Sequence, residues 1–334
     1  MKYLPIVLLV LFCQLCVLPT WADDATSTVH KPTGVFASSG WRDRNALSSE
    51  LINGILVRAP WRQIEPSPGQ FDFHAIEMQR KAIIAAGKQW SLAILAGPNA
   101  PAWLTEKPFN VSTMTIKART RAKGYVPTQM PCFWDATVLA RFKILAEALA
   151  EKYNDDPTLV LVYVPQMTAN GIEGHFNANW PDDLRKVGLT GEKFIAGATA
   201  AARHFANALT NKAVAIEVHE ILGDASIPKQ IITELWEDPK LEQRVGAGMW
   251  WISGKTQYQT ALIQVLKDFP GDIYAQVIGR SDQTHRFPDG DYTAVFKQAR
   301  ALGIRYVEVW EYELKTDRFA DTFQQFNRDT HINE

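Results

Sequence analysis

The residues best placed to do chemistry cluster in one stretch, Leu159 to Asn177, LVLVYVPQMTANGIEGHFN. It opens as an apolar run and then delivers Gln166, Asn170, Glu173 and His175. A buried strand that ends in an amide, a carboxylate and an imidazole sets proton-transfer groups at a strand's carboxyl end, where barrel enzymes carry their chemistry. Glu173 lies between Gly171, Gly174 and Phe176, and that apolar setting predicts a raised pKa and a general acid. The bland alternative is a solvated loop glutamate. A partner carboxylate is offered by Arg305–Glu313, RYVEVWEYE. If Val307 and Val309 face outward, the period of two turns Tyr306, Glu308 and Trp310 inward. Glu308 is then either a second reacting carboxylate or a structural one paired with Arg58, which the same alternation points inward. Glu311 at that strand's end is the fallback. The run VAIEVHE adds Glu217 and His219 on an inward face, with Glu220 just beyond.

Other chemistries find less support. Glu173, His175 and His219 include metal-ligand types, but no H-x-x-x-H or H-E-x-x-H spacing is present, and no metal or cofactor is expected. Cys132 reads as a buried, inert thiol. No G-x-S-x-G motif supports a serine esterase, and no Gly-rich phosphate loop follows the first strand. The chain holds 11 Trp, and those at strand ends form a candidate platform for flat apolar ligand faces. Trp103, Trp250 and Trp310 are the strongest choices and Trp61 is included, while Trp251, next to Trp250, should face away.

These groups need elements to hold them. Eight apolar runs punctuate the chain: Gly34–Ser38, Gly54–Trp61, Trp90–Gly97, Leu159–Gln166, Ala213–Ile221, Gly246–Ile252, Ile273–Gly279 and Arg305–Glu311. Helical patterns lie between them at His74–Ala86, Ala136–Tyr153, Glu192–Leu209, Lys229–Trp236, Thr256–Phe269 and Asp291–Leu302. Alternation of this kind implies a parallel sheet, and eight repeats imply a (β/α)8 TIM barrel, a fold of about 250 residues plus insertions. The first β-α connection is short. A long segment, Pro98–Trp134, follows the third run, and long loops on that side of a barrel usually serve the site. If the first run is not a strand, the count shifts by one, and VAIEVHE and YVEVWE become strands four and seven.

Composition sets the outer bounds. A net charge of −1 and 46% hydrophobic residues describe a globular chain and give no support for nucleic-acid or membrane-surface binding. Met1–Ala22 reads as a cleavable secretory signal: Lys2, an apolar run from Ile6 to Val17, and Thr20-Trp21-Ala22. Cys13 and Cys16 lie within it, which leaves Cys132 and no internal disulfide, and this suits a periplasmic or secreted protein. Residues 23–33 read as a flexible leader and 34–334 as one barrel domain.

A resemblance enters at Trp61–Phe73, WRQIEPSPGQFDF, and Ser91–Leu104, SLAILAGPNAPAWL. With Arg58, these segments resemble the start of barrel glycoside hydrolases related to family 42 β-galactosidases. The matching residues are Arg58, Trp61, Glu65, Pro66, Gly69, Phe71, Asp72, Phe73, Pro101, Trp103 and Leu104. The resemblance implies a retaining β-glycosidase with an acid/base Glu ending strand four, usually after Asn, and a nucleophilic Glu ending strand seven. Here Asn170 and Glu173 are separated by two residues, and strand seven carries Gln276 and no Glu. Hydrolysis of a glycoside needs two carboxyl groups, about 5–5.5 Å apart for retention and about 6.5–9.5 Å for inversion. The expected pair is Glu173 and Glu308, with Arg58, Asn170, His175 and Gln276 holding sugar hydroxyls and no cofactor needed. Glu65 in the I-E-P turn reads as structural. The alternative is a carbohydrate-binding barrel without catalysis.

Overall fold

The computed structural model describes residues 29–120 and 123–331. The expected signal, Met1–Ala22, and the first part of the leader lie outside the described residues. Among the described residues, no helix is long and apolar enough to cross a membrane.

All eight runs are strands of one closed parallel barrel. In chain order they are β1 (Gly34–Ala37), β2 (Gly54–Pro60) and β3 (Gln89–Leu95). After the antiparallel hairpin of β4 (Thr113–Thr120) and β5 (Gly124–Pro131) come β6 (Leu159–Tyr163), β7 (Ala213–Glu217), β8 (Val245–Ile252), β9 (Ile273–Val277) and β10 (Tyr306–Val309). β1 pairs with both β2 and β10, Val35 beside Val307 and Phe36 beside Glu308, and this closes the ring. The first run is therefore a strand, and the alternative count falls: β6 is the fourth barrel strand, β9 the seventh and β10 the eighth. Strands in this position are buried on both faces, which is why they read as unbroken apolar runs. Phe36, Leu56, Tyr163, Tyr274 and Tyr306 fill the interior, whereas Val35, Val307 and Val309 join the layer under the helices.

The helices follow their sequence signals with small shifts. Ala136–Tyr153 starts at Asp135, whose side chain accepts from the Thr137 and Val138 N–H groups. It buries Val138, Phe142, Leu145, Ala146 and Leu149 on one face. The helix expected from Asp291 begins at Ala294, because the Asp291 carboxylate caps Thr293 in a preceding turn. The short first connection is the five-residue helix Arg44–Ser48. The helix Ala320–His331 was not expected, since its polar majority leaves a thin apolar stripe. Phe323 and Phe326 are buried, and Asn327 accepts the Val35 N–H and donates to the Leu51 carbonyl. The end of the leader is docked as well, with Lys31 paired to Asp272 at 2.6 Å.

The W-x-x-I-E-P and A-P-A-W-L segments meet on the outside of the barrel. Glu65 is fully buried; its carboxylate accepts from Trp61 Nε1 and from the Gly69 N–H, both at 2.9 Å, and pairs with Arg141. Trp103 Nε1 donates to the Glu65 carbonyl at 3.1 Å, and Trp61 stacks on Phe142 with ring centroids 4.8 Å apart. Trp61 and Trp103 thus fasten the β2 and β3 ends to helix Ala136–Tyr153, and both are corrected from sugar platform to wall. Strand-end position placed them at the right height, but the turn after β2 carries Trp61 outward. Glu65→Ala leaves a buried guanidinium without its partner, so stability should fall by about 3–5 kcal/mol. Urea unfolding with an unchanged m-value checks this, and a loss below about 1 kcal/mol would show that the motif is not a structural brace.

Candidate active site

The carboxyl ends of the barrel strands open into a cleft of about 900 Å³. Its walls include Arg58, Asn170, Glu173, His175, His219, Trp250, Gln276 and Trp310. Seven of the ten residues expected at the site therefore line one cavity. Trp61, Trp103 and Glu308 do not.

Glu173 is positioned by a folded loop after β6. Gly171 adopts φ +88°, and a Cβ there would lie 2.3 Å from the Ala96 carbonyl oxygen, so only glycine lets the loop close on β3. Gln166 ties the loop down by donating to the Ile172 and Glu217 carbonyls, both at 2.8 Å. Asn170 then wraps Glu173: its Oδ1 accepts the Glu173 N–H at 2.9 Å and its Nδ2 donates to Oε1 at 2.5 Å. The two residues that separate Asn from Glu form this turn, which still brings the amide to the carboxylate. His175 Nε2 stands 3.3 Å from the other oxygen, Oε2.

Those partners reverse one expectation. Burial pushes the Glu173 carboxyl upward, but the bond and charge of His175 and the Asn170 amide outweigh it, so the pKa lies below the ordinary value. His175 moves the other way: burial lowers it, and Glu173 and Glu217 raise it more. Both shifts favour a carboxylate beside an imidazolium over a protonated acid in an apolar pocket.

Glu217, at the end of β7, lies beneath this pair. Its carboxylate accepts the Gly174 N–H at 2.6 Å and the Trp250 N–H at 3.1 Å, and lies 3.0 Å from His219 Nδ1. Burial, then the negative charge of Glu173, raise its pKa. Burial also holds the His219 imidazole down to about 3, so that ring is uncharged at neutral pH. Glu173, His175 and His219 each bring one donor atom within 4.8 Å of the others, so these three side chains could hold a metal ion. In the structure the nearest donors, on Glu173 and His175, face one another directly.

The floor is a second polar cluster. Glu308 is fully buried and accepts from Tyr306 Oη at 2.7 Å, Gln276 Nε2 at 2.7 Å and Tyr163 Oη at 3.0 Å, with Ser91 Oγ at 3.5 Å. Burial raises its pKa against those bonds and the Arg58 charge. Arg58 does not pair with it directly. Its Nη2 donates to Gln276 Oε1 at 3.0 Å, so Gln276 relays between guanidinium and carboxylate. Glu308 is thereby corrected from a group facing the ligand to one beneath it, because Tyr163, Tyr306 and Gln276 use its oxygens. Glu311 accepts from Ser39 in a separate shallow depression with Trp41 and Arg42.

Trp250 and Trp310 stand on the cleft walls. The Arg58 guanidinium lies 5.0 Å from the Trp250 ring, and Trp310 Nε1 donates to the Val277 carbonyl at 2.9 Å. Trp251 lines the cleft too, against expectation, because the pairing of β8 with β9 slips between Met249 and Ile252. Arg119, Tyr125, Tyr258 and Arg286 also line it and were missed. Arg119 had a readable signal, since Met114, Ile116 and Ala118 alternate with polar residues along β4 and place Arg119 on the exposed face; the loops that carry Tyr258 and Arg286 have no such period.

Residues 50–175 match glycoside hydrolase family 42, described as beta-galactosidase. The match runs from just before β2 to the loop with Glu173 and His175, and so takes in both the outer brace and the fourth-strand site. No curated protein sequence matches the chain. Similar solved structures include xylanase XynB from Paenibacillus barcinonensis, with TM-score 0.53 and 13% identity over 83% of each chain. Endo-glycoceramidase II from Rhodococcus sp. aligns with TM-score 0.51 and 16% identity over 86% of this chain and 74% of that one. A psychrophilic family 10 endo-beta-1,4-xylanase aligns with TM-score 0.50 and 11% identity over 83% and 86%. The chain is a (β/α)8 barrel, the fold it shares with these structures. Its particular likeness, over residues 50–175, is to family 42.

The Glu173–His175 pair sets a pH signature. A lowered carboxyl stabilises the fold above its ordinary value of 4.5 and loses that contribution as pH falls through the lowered one. A raised imidazole stabilises below its ordinary 6.5 and loses that contribution as pH rises through the raised one. The stability difference between wild type and His175→Gln should therefore be largest between pH 4.5 and 6.5 and shrink on both sides. Thermal melts across pH 3–9 would show this, and a difference that does not vary with pH would mean the two groups do not pair as ions.

Proposed function

We propose that this protein hydrolyses a β-linked glycoside or oligosaccharide. The observation that carries the reading is Glu173, the one carboxylate among the described residues lining the cleft. It is held by Asn170 and His175 after the fourth barrel strand, with Trp250 and Trp310 on the walls. Indole faces stack on the apolar faces of sugar rings, and Arg58, Asn170 and Gln276 offer donors to hydroxyls.

In the proposed reaction His175 and Glu173 act as one acid. The proton held at His175 Nε2 passes to Glu173 and from there to the glycosidic oxygen as the bond to the anomeric carbon breaks. Water adds to that carbon, and its surplus proton returns to the pair. Positive charge grows on the sugar ring in such a transition state. The second carboxylate, Glu308, acts from beneath the floor: it orients Gln276 and Arg58 and supplies negative charge without touching the substrate. A second reading, a binding barrel without catalysis, draws on Gln276, which stands on the seventh strand where the resemblance places a nucleophilic Glu. For location, Met1–Ala22 supports export to the periplasm or beyond.

A panel of 4-nitrophenyl β-glycosides and β-linked oligosaccharides tests the reaction. Glu173→Gln should lower kcat by about 10²–10⁴-fold while ligand binding persists. Turnover unchanged in that variant would remove Glu173 from the mechanism. Binding of sugars by the wild type with no turnover of any of them would establish the second reading instead.

A further inference from the structure

The charges around the cleft do not balance. Its lining carries Arg58, Arg119 and Arg286 against a single carboxylate, Glu173. Glu173 is already answered by His175, and Arg58 faces Glu308 through Gln276. Arg119 and Arg286 have no ion-pair partner among the described residues, although both stand at the substrate's entrance.

Arg286 is built into the wall. It ends the short turn Thr284–Arg286 after β9, and its stem lies flat against Gly279, where a Cβ would come within 2.5 Å of its Cδ. Nη1 donates to the Ile278 carbonyl at 3.2 Å, which fixes the plane of the guanidinium. Nε is buried and has no hydrogen-bond partner. That nitrogen is packed against Gly279, so the charge that Arg286 presents to the cleft lies on the outer part of its guanidinium, which binds carboxylates and sulfates strongly. Arg119 stands exposed on β4, paired in register with Tyr125 of β5. Asn179, in the loop that carries Glu173, clamps this hairpin: its Oδ1 accepts the Lys117 N–H at 2.7 Å and its Nδ2 donates to the Lys117 carbonyl at 2.9 Å. The cation on the hairpin is thus set relative to the reacting carboxylate.

We propose that the cleft selects an acidic glycan, whose uronic-acid carboxylate or sulfate ester seats on the guanidinium of Arg286, with Arg119 as a second cation. The proposal rests on the carbohydrate reading above and names its substrate class.

The test is a glycan array of uronic-acid oligosaccharides, sulfated oligosaccharides and their neutral parents, probed with the Glu173→Gln protein. Wild-type turnover of 4-nitrophenyl β-D-glucuronide and β-D-glucoside is measured alongside. Acidic glycans should be retained over their neutral parents, and the preference should weaken with added salt. Arg286→Ala and Arg119→Ala should each reduce the acidic-to-neutral ratio by about tenfold. Lys143→Ala, on an exposed outer helix position, should leave the ratio alone. The uronic-acid and sulfate arms tell which anion is taken. Equal retention of acidic and neutral glycans, or no retention of either, overturns the proposal, as does an unchanged ratio in both Arg variants. Arg119 is exposed, so its variant stays informative if Arg286→Ala fails to fold. Acidic glycans bound but never cleaved would sink the hydrolase reading and leave this one standing. Neutral glycosides bound and cleaved as well as acidic ones would do the reverse.

Discussion

The buried carboxylate of Glu217 is the constraint on which the rest of the site depends. It ends the fifth barrel strand and accepts from Gly174 in the loop after the fourth and from Trp250 in the sixth, with His219 Nδ1 at 3.0 Å. One side chain thus ties the loop after the fourth barrel strand to the fifth and sixth strands. Removing one partner of a buried hydrogen-bonded cluster costs far more than the cluster adds on balance, because the groups left behind have no water to replace it. The glycines around it follow from the same contact. A Cβ on Gly174 would lie 2.9 Å from the Glu217 carbonyl oxygen, so a larger residue would push the loop, and Glu173 with it, away from β7.

The floor repeats this logic with a different result. Glu308 gathers two phenols and an amide, and the amide passes its influence to Arg58. Burial and the negative charge of Glu308 both push the Tyr163 and Tyr306 phenols well above the ordinary tyrosine value, so they keep their protons and remain donors. A carboxylate that is fully used in this way cannot also meet a substrate atom. Its influence reaches the cleft through Gln276, which joins it to Arg58 on the cleft wall. In the proposed reaction the floor therefore orients the cleft, and Glu173 is left to carry the proton.

How much of this the sequence disclosed depends on what kind of fact each residue required. The strands were legible because burial on both faces leaves no room for polar residues, and Leu159–Tyr163 shows this directly. Glu308 was correctly turned inward by alternation, since period two is a property of the chain alone. What alternation could not say is how deep it lies, and depth separates a reacting carboxylate from a structural one. Trp61 was misplaced for a related reason: the first turn after β2 is helical and swings its indole onto Phe142. The direction of the Glu173 pKa was misread because it depends on His175 folding back across one residue, which no local pattern encodes. Gly171, Gly174 and Phe176 suggested an apolar pocket, and the imidazole cancels it.

In the proposed reaction the pairing of Glu173 with His175, 3.3 Å apart, separates two jobs: the proton is stored on nitrogen and the carboxylate supplies the path. His219 takes no share of that proton: burial first, and the charge on His175 next, keep it neutral. In that proposal three residues on two adjacent segments divide one task, storage on His175, delivery by Glu173 and an uncharged wall at His219. Glu217 holds all three in register from below, through Gly174 on one side and the His219 ring on the other.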